Sequence, residues 1–156
     1  MEQLTIRKAT MADLATLLAF EQGVVAAERP FNPTIKNEDA TYYDIGHMIV
    51  ADHIHLAVAE INDEIVGSGY ARIEQSRSCF KHKKFGYLGF MYVLPLHRGK
   101  GINAKILKTL VGWCTSYDIN EIRLDVYSDN VSAIKAYEKV GFTKLLTHMR
   151  MEVEDT

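Results

Sequence analysis

The run HRGKGINA at 97–104 sets two cations, Arg98 and Lys100, beside two glycines, Gly99 and Gly101, directly ahead of a patterned helix. Glycine lets backbone approach a ligand closely, and the first N–H groups of a helix lack partners within it and lie at its positive end. The chemistry open to such a turn is the holding of an anion of phosphate size. It has neither the G-x-x-x-x-G-K-[ST] spacing of a nucleotide loop nor the dinucleotide pattern G-x-G-x-x-G. Taken alone, it reads first as a tight helix start with incidental surface charge. A second group follows at 130–142, NVSAIKAYEKVGF, where Asn130 can cap a helix, Gly141 can end it, and the phenol of Tyr137 lies between them.

The elements needed to position these groups are readable from periodicity. Ahead of the turn, YLGFMYVLP at 87–95 is strand-like; behind it, Ile102, Ile106, Leu107, Leu110, Val111 and Cys114 form one face of a helix. Glu121 to Tyr127 alternates as a further strand. Strand, helix and strand in that order predict a right-handed parallel crossover, which brings residues 130–142 toward the turn.

Upstream, Leu4–Lys8 reads as a first strand and Thr10 to about Ala27 as a helix, with Thr10 and Asp13 resembling a capping box and Leu14, Leu17, Leu18 and Val25 on one face. Pro30 and Pro33 end that helix. A second helix is expected over Glu38–Val50, with Tyr42, Ile45, Met48 and Ile49 inward. His55–Ile61 and Glu64–Glu74 form a hairpin about Asn62-Asp63, and Gly67 and Gly69 mark a bulge or a close approach. Gln75–Lys84 is a polar loop with a small basic patch at Lys81–Lys84. Phe142–Val153 supplies one or two final strands.

With 156 residues the chain fits a single domain, and a net charge of −2 gives no overall attraction to nucleic acid or to an anionic membrane. No apolar run is long enough to span a bilayer and the first residues lack signal-peptide order, so a cytoplasmic protein is expected. Cys79 and Cys114 belong to no C-x-x-C pair and the histidines, His53 and His55 included, do not converge, so no metal site is expected. Cys114 reads as a core residue and Cys79 as a loop residue.

Arg98-x-x-Gly101 after a strand ending in Val93-Leu94-Pro95, followed beyond the next strand by N-x-x-A-x-x-x-Y-E-K-x-G-F, resembles the GNAT superfamily of N-acetyltransferases. The order of elements agrees with that fold over essentially the whole chain. The resemblance implies an α/β (α+β) protein: a mixed, mostly antiparallel twisted sheet with one parallel strand–helix–strand crossover and about four helices, residues 1–156 forming one domain. Asn103 departs from the family's R-x-x-G-x-G/A pattern, adding a side chain that can clash or donate a hydrogen bond.

By that resemblance the cosubstrate is acetyl-CoA. Its pyrophosphate would rest on the backbone of Arg98, Gly99, Lys100, Gly101, Ile102, Asn103 and Ala104, with its pantetheine along Met91, Tyr92 and Val93. Asn130, Ala133 and Tyr137 would complete the cofactor side. In a ternary complex an unprotonated amine attacks the thioester, the N–H of Met91 or Tyr92 stabilises the oxyanion, and Tyr137 protonates the departing thiolate. Base candidates are Glu28, Glu74, Tyr92, His97, Asp125 and an ordered water, and the sequence does not choose among them.

The resemblance implies that the acceptor lies between residues 28–43 and 75–84. There Glu28, Glu38, Asp39 and Tyr42-Tyr43 suit an amine, while the basic patch suits an anionic acceptor or the 3′-phosphate of CoA. A small amine is favoured, a peptide amine remains open, and neither nucleic acid nor membrane is expected as partner. The rival functions are transfer of another acyl-CoA and a non-catalytic acyl-CoA-binding regulatory module. By the family's precedent a homodimer is a further expectation, the exposed final strand otherwise needing cover.

Overall fold

The structure, a computed structural model, describes residues 3–154. Two compact units are present, one up to Asp125 and one from Val126 onward.

The first unit is built on five strands: β1 (Leu4–Lys8), β2 (Ile54–Ile61), β3 (Glu64–Gln75), β4 (Lys84–Val93) and β5 (Ile122–Leu124), in the order β1-β2-β3-β4-β5. Neighbours run antiparallel except β4 and β5, which are parallel. The β2–β3 hairpin turns on Asn62 and Asp63, both left-handed at φ 51° and 63°. Two left-handed central residues give the turn whose twist matches the flanking strands.

Helices α1 (Leu14–Glu28) and α2 (Ile45–Val50) bury Leu17, Phe20, Val24, Ile45, Met48 and Ile49 against Leu56, Val58, Tyr70 and Phe90. Alternation along the strands turns the intervening residues the other way. There Ala57 stands opposite Gly69 and Ala59 opposite Gly67, a floor of small residues on which α3 (Ile102–Ser116) lies. A Cβ on Gly67 would reach Ile106 Cδ1 at 3.2 Å, and one on Gly69 would reach Ile106 Cγ2 at 2.8 Å. The predicted close approach is therefore made by α3. The face of α3 is as expected in Ile102, Ile106, Leu107, Leu110 and Cys114, all buried, while Val111 at its margin is only half-buried.

Four expectations need correction. Leu18 is 46% exposed, and α1 instead buries Phe20, Glu21 and Val24 beside Leu17 and Val25. The second helix begins only at Ile45, capped by the Asp44 carboxylate, which accepts from the His47 N–H at 3.2 Å. Residues 38–44 cannot join it, because Asp39 is left-handed (φ 57°) and the Tyr42 and Tyr43 amides point to Glu21. Tyr42 accordingly faces outward. Finally β5 has three residues, and no strand forms over Phe142–Val153; Leu145, Leu146, Met149, Met151 and Val153 are exposed. A strand exists only with a ladder partner, and the sheet ends at β5.

The second unit contains α4 (Val131–Val140). Asn130 caps it, Oδ1 accepting from the Ala133 N–H at 3.3 Å, and Gly141 ends it at φ 120°.

Candidate functional site

Strand β4 carries one residue too many. Tyr70 stands opposite Gly89 and Ser68 opposite Tyr92, so Phe90 and Met91 face Gly69 alone, and Phe90 is left-handed at φ 55°. Such a bulge takes backbone groups out of the ladder and re-aims side chains. Ser68, fully buried, steadies it by donating its hydroxyl to the Phe90 carbonyl at 3.1 Å. As a result Tyr87, Phe90 and Tyr92 all pack toward α1 and α2, while the Met91 sulfur lies over Gly69 on the α3 side. The Tyr92 ring rests on the backbone of Gly23 in α1 and lies 5.0 Å from Phe20.

Beyond β4 the chain passes Pro95–His97 in one 3-10 turn and reaches the glycines. Gly99 and Gly101 are left-handed at φ 79° and 77°, with nothing within 4 Å of where a Cβ would stand. Gly101 opens α3, and the first N–H bonded within that helix is that of Lys105, to the Gly101 carbonyl at 3.3 Å. The N–H groups of Ile102, Asn103 and Ala104 thus precede the helical ladder and face its positive end. Lys100 Nζ stands 3.3 Å from His97 Nδ1. Arg98 turns away from the glycines: Nε donates to the Val93 carbonyl at 2.9 Å and the guanidinium lies 5.6 Å over the Tyr92 ring. Its side chain braces the end of β4. Two open glycines, three N–H groups and Lys100 form a donor set suited to a diphosphate.

On the α1/α2 side of the bulge stands an aromatic wall. Tyr43 lies 4.9 Å from Phe90 and 5.8 Å from Tyr70, which lies 6.4 Å from Tyr87. Arg72 covers its far end, 5.7 Å over Tyr70 and 5.2 Å over Tyr87, and is paired with Glu74. The Tyr87 hydroxyl donates to Asp125 at 3.0 Å. Burial pushes the Tyr43, Tyr70 and Tyr87 hydroxyls above the ordinary phenol range. The Glu28 charge adds to this at Tyr43, and that of Asp125 at Tyr87. These phenols stay protonated at neutral pH.

At the Tyr43 end lies Glu28, the last residue of α1. It is half-buried, burial raises its pKa, and no hydrogen bond or ion pair to it occurs among the described residues. The other base candidates are engaged. Glu74 pairs with Arg72, Asp125 accepts from Tyr87, His97 lies beside Lys100, and Tyr92 packs on Gly23. Glu38 and Asp39 are exposed.

Met91, Tyr92, Val93 and the run Arg98–Ala104 thus lie together at the end of β4 and the start of α3. Asn130, Ala133 and Tyr137 lie together on α4, in the second unit, with the Tyr137 ring 6.0 Å from Phe142. Sequence reasoning missed Glu21, whose carboxylate reads as a surface charge on an amphipathic helix, and Ser68, which alternation hides inside a strand.

The Acetyltransferase (GNAT) family profile matches residues 21–142. An N-alpha-acetyltransferase of Sulfolobus acidocaldarius is 27% identical over 96% of this chain and 87% of its own length. One of Sulfurisphaera tokodaii is 33% identical over 63% of each chain. A crystal structure of a predicted acetyltransferase with acetyl-CoA from Clostridium acetobutylicum superposes with a TM-score of 0.72, at 21% identity, over 96% of both chains.

The chain belongs to the GNAT family. As a GNAT protein it is an acetyl-CoA-dependent acetyltransferase acting on an amine. The mixed α/β fold, with its parallel β4–β5 pair, is the one that superposes on that structure. No helix among the described residues is long and apolar enough to cross a membrane, and no group of three His, Cys, Asp or Glu there could hold a metal.

Proposed function

We propose that this GNAT protein acetylates the free α-amine of a peptide, or a small-molecule primary amine, at the aromatic wall beside the β4 bulge. The observation that carries the reading is Glu28: a half-buried carboxylate with no hydrogen bond or ion pair among the described residues, set beside Tyr43 on the side of the bulge away from α3. A desolvated anion next to tyrosine faces favours an ammonium group, by charge and by the negative faces of the rings. The relatives named N-alpha-acetyltransferase support a peptide α-amine, and the pKa of such an amine, about 8, leaves a useful unprotonated fraction near neutrality.

In this reading the N–H groups of Ile102, Asn103 and Ala104, with Gly99, Gly101 and Lys100, hold the pyrophosphate of acetyl-CoA. Met91, Tyr92 and Val93 lie along its pantetheine. Acetyl-CoA supplies the acyl group as an activated thioester. Glu28 receives the ammonium and takes its proton, and Tyr137 returns a proton to the thiolate. A raised carboxylate pKa improves Glu28 as a base, since it narrows the gap to the amine. Arg98 fixes the end of β4. The protein works in the cytoplasm, where its two free cysteines remain reduced.

Thiol release from acetyl-CoA, measured with unblocked peptides, N-blocked peptides and small primary amines, tests this. Turnover is expected with free amines alone, with an acid limb that shifts and weakens in Glu28→Gln, and about 100-fold slower turnover in Tyr137→Phe at unchanged acetyl-CoA affinity. Acetyl-CoA binding without turnover on any amine would leave a regulatory acyl-CoA-binding module.

A further inference from the structure

The wall that this reading assigns to the acceptor depends on a segment without regular structure. Residues 36–43 form neither helix nor strand, yet three side chains of α1 and the turn after it reach across to their backbone. Arg29 donates to the carbonyls of Lys36 at 2.9 Å and Asn37 at 3.3 Å. Gln22 Nε2 donates to the Ala40 carbonyl at 3.1 Å. Glu21 Oε2 accepts from both the Tyr42 and the Tyr43 N–H at 2.8 Å, and this carboxylate is 1% exposed.

We propose that Glu21 is a positioning residue for acceptor specificity: its buried carboxylate anchors the strap 36–43 and so fixes the Tyr43 face of the acceptor wall. Packing alone does not call for an acid there, because a buried carboxylate is costly unless its oxygens are satisfied. What the acid provides is one atom that accepts two consecutive amides through charge-assisted bonds, which are stronger than neutral ones. Consecutive amides in an extended chain point in different directions, so one acceptor shared by both fixes the local turn of the backbone. The Tyr43 ring follows from that turn, meeting Phe90 at a 34° tilt and Tyr70 edge-on.

The spacing on α1 supports the assignment. Glu21 and Glu28 are seven residues apart, two helical turns, and so share a face. One carboxylate is spent on internal N–H donors, and the other has no hydrogen bond or ion pair among the described residues. The strap is tied along its length, which makes the acceptor site a preformed wall and not a lid that folds on binding.

The test compares Glu21→Ala and Glu21→Gln with the wild type, reading amide hydrogen exchange at Tyr42 and Tyr43 together with KM for a free-amine peptide and for acetyl-CoA. In Glu21→Ala the two amides should lose protection while α1 keeps its own, and acceptor KM should rise about tenfold with acetyl-CoA KM within about twofold. Glu21→Gln, which keeps a carbonyl oxygen, should be intermediate in both readouts. Unchanged exchange, or both KM values rising together, would overturn the proposal. If Glu21→Ala does not fold, Glu21→Gln decides alone, and wild-type exchange with wild-type acceptor KM overturns it. Because the proposal rests on the amine-transfer reading, a wild type that turns over no amine removes that reading before any variant is compared. Wild-type turnover with an unmoved acceptor KM in Glu21→Ala removes only the role of Glu21.

Discussion

At Gly99 and Gly101 the chain needs glycine for conformation and not for space, since a Cβ at either would meet nothing within 4 Å. A β-branched residue in the left-handed region is strained by about 1–2 kcal/mol or more, whereas asparagine visits it readily. Gly101→Val should therefore weaken acetyl-CoA binding about tenfold or more by calorimetric titration, and Gly101→Asn should lose much less. Equal losses would mean that any side chain obstructs the ligand directly. Single residues differ in how openly the sequence declares them. The glycine turn was visible because two glycines and two cations precede an amphipathic helix. Glu28 could be picked out as an acid near tyrosines, but not separated from Glu74 or Asp125, because only the structure shows which carboxylates already have partners. Glu21 was invisible, since its donors are backbone amides twenty-one and twenty-two residues away.

Elements are set here by how near they can come to one another. Helix α3 lies against glycines on two strands, and on β4 a Cβ added at Gly86 would stand 2.5 Å from Cys114 Sγ and 3.3 Å from Ile122 Cδ1. Gly86→Ala should lower Tm by several degrees, and Cys114→Ala in the same chain should restore part of the loss, with a coupling of about 1 kcal/mol by a double-mutant cycle. Simple additivity would show that the strain lies with Ile122 or the backbone. Burial in the same packing pushes the Cys114 thiol up to about 11, so it is not a ready nucleophile. Long periodic elements, such as α3 and the β2–β3 hairpin, were legible because their patterns repeat. Residues 38–44 and 142–153 carry the right residue types for helix and strand, but their state depends on partners, the Glu21 carboxylate in one case and a neighbouring strand in the other.

Across the whole molecule, acid sensitivity should begin at the first strand. Arg7 on β1 donates to the Asp13 carboxylate at 2.8 and 3.0 Å and to Glu60 on β2 at 2.7 Å, joining strand, turn and neighbouring strand. Its hydrogen bonds hold Asp13, 5% exposed, below the usual carboxylate pKa. A depressed pKa in the folded state means the stabilisation is fully present above the unfolded value, near 3.9, and is lost as pH falls through the lower folded value. Asp13→Asn should thus be less stable than the wild type at pH 7 in urea unfolding, with the difference shrinking below about pH 4. A gap that stays constant to pH 2 would separate Asp13 from the acid limb.

One consequence of the β4 bulge concerns the comparison of sequences. Tyr87 and Phe90 share a face although they are three residues apart, as do Leu88 and Met91 on the other side, so inside and outside exchange parity at Gly89 and Phe90. A relative without the extra residue, aligned letter for letter through this strand, would be matched correctly on one side of the bulge and inside out on the other. At identities near 27%, counting from Tyr70↔Gly89 on one side and Ser68↔Tyr92 on the other is what keeps the two halves of the strand in a common frame.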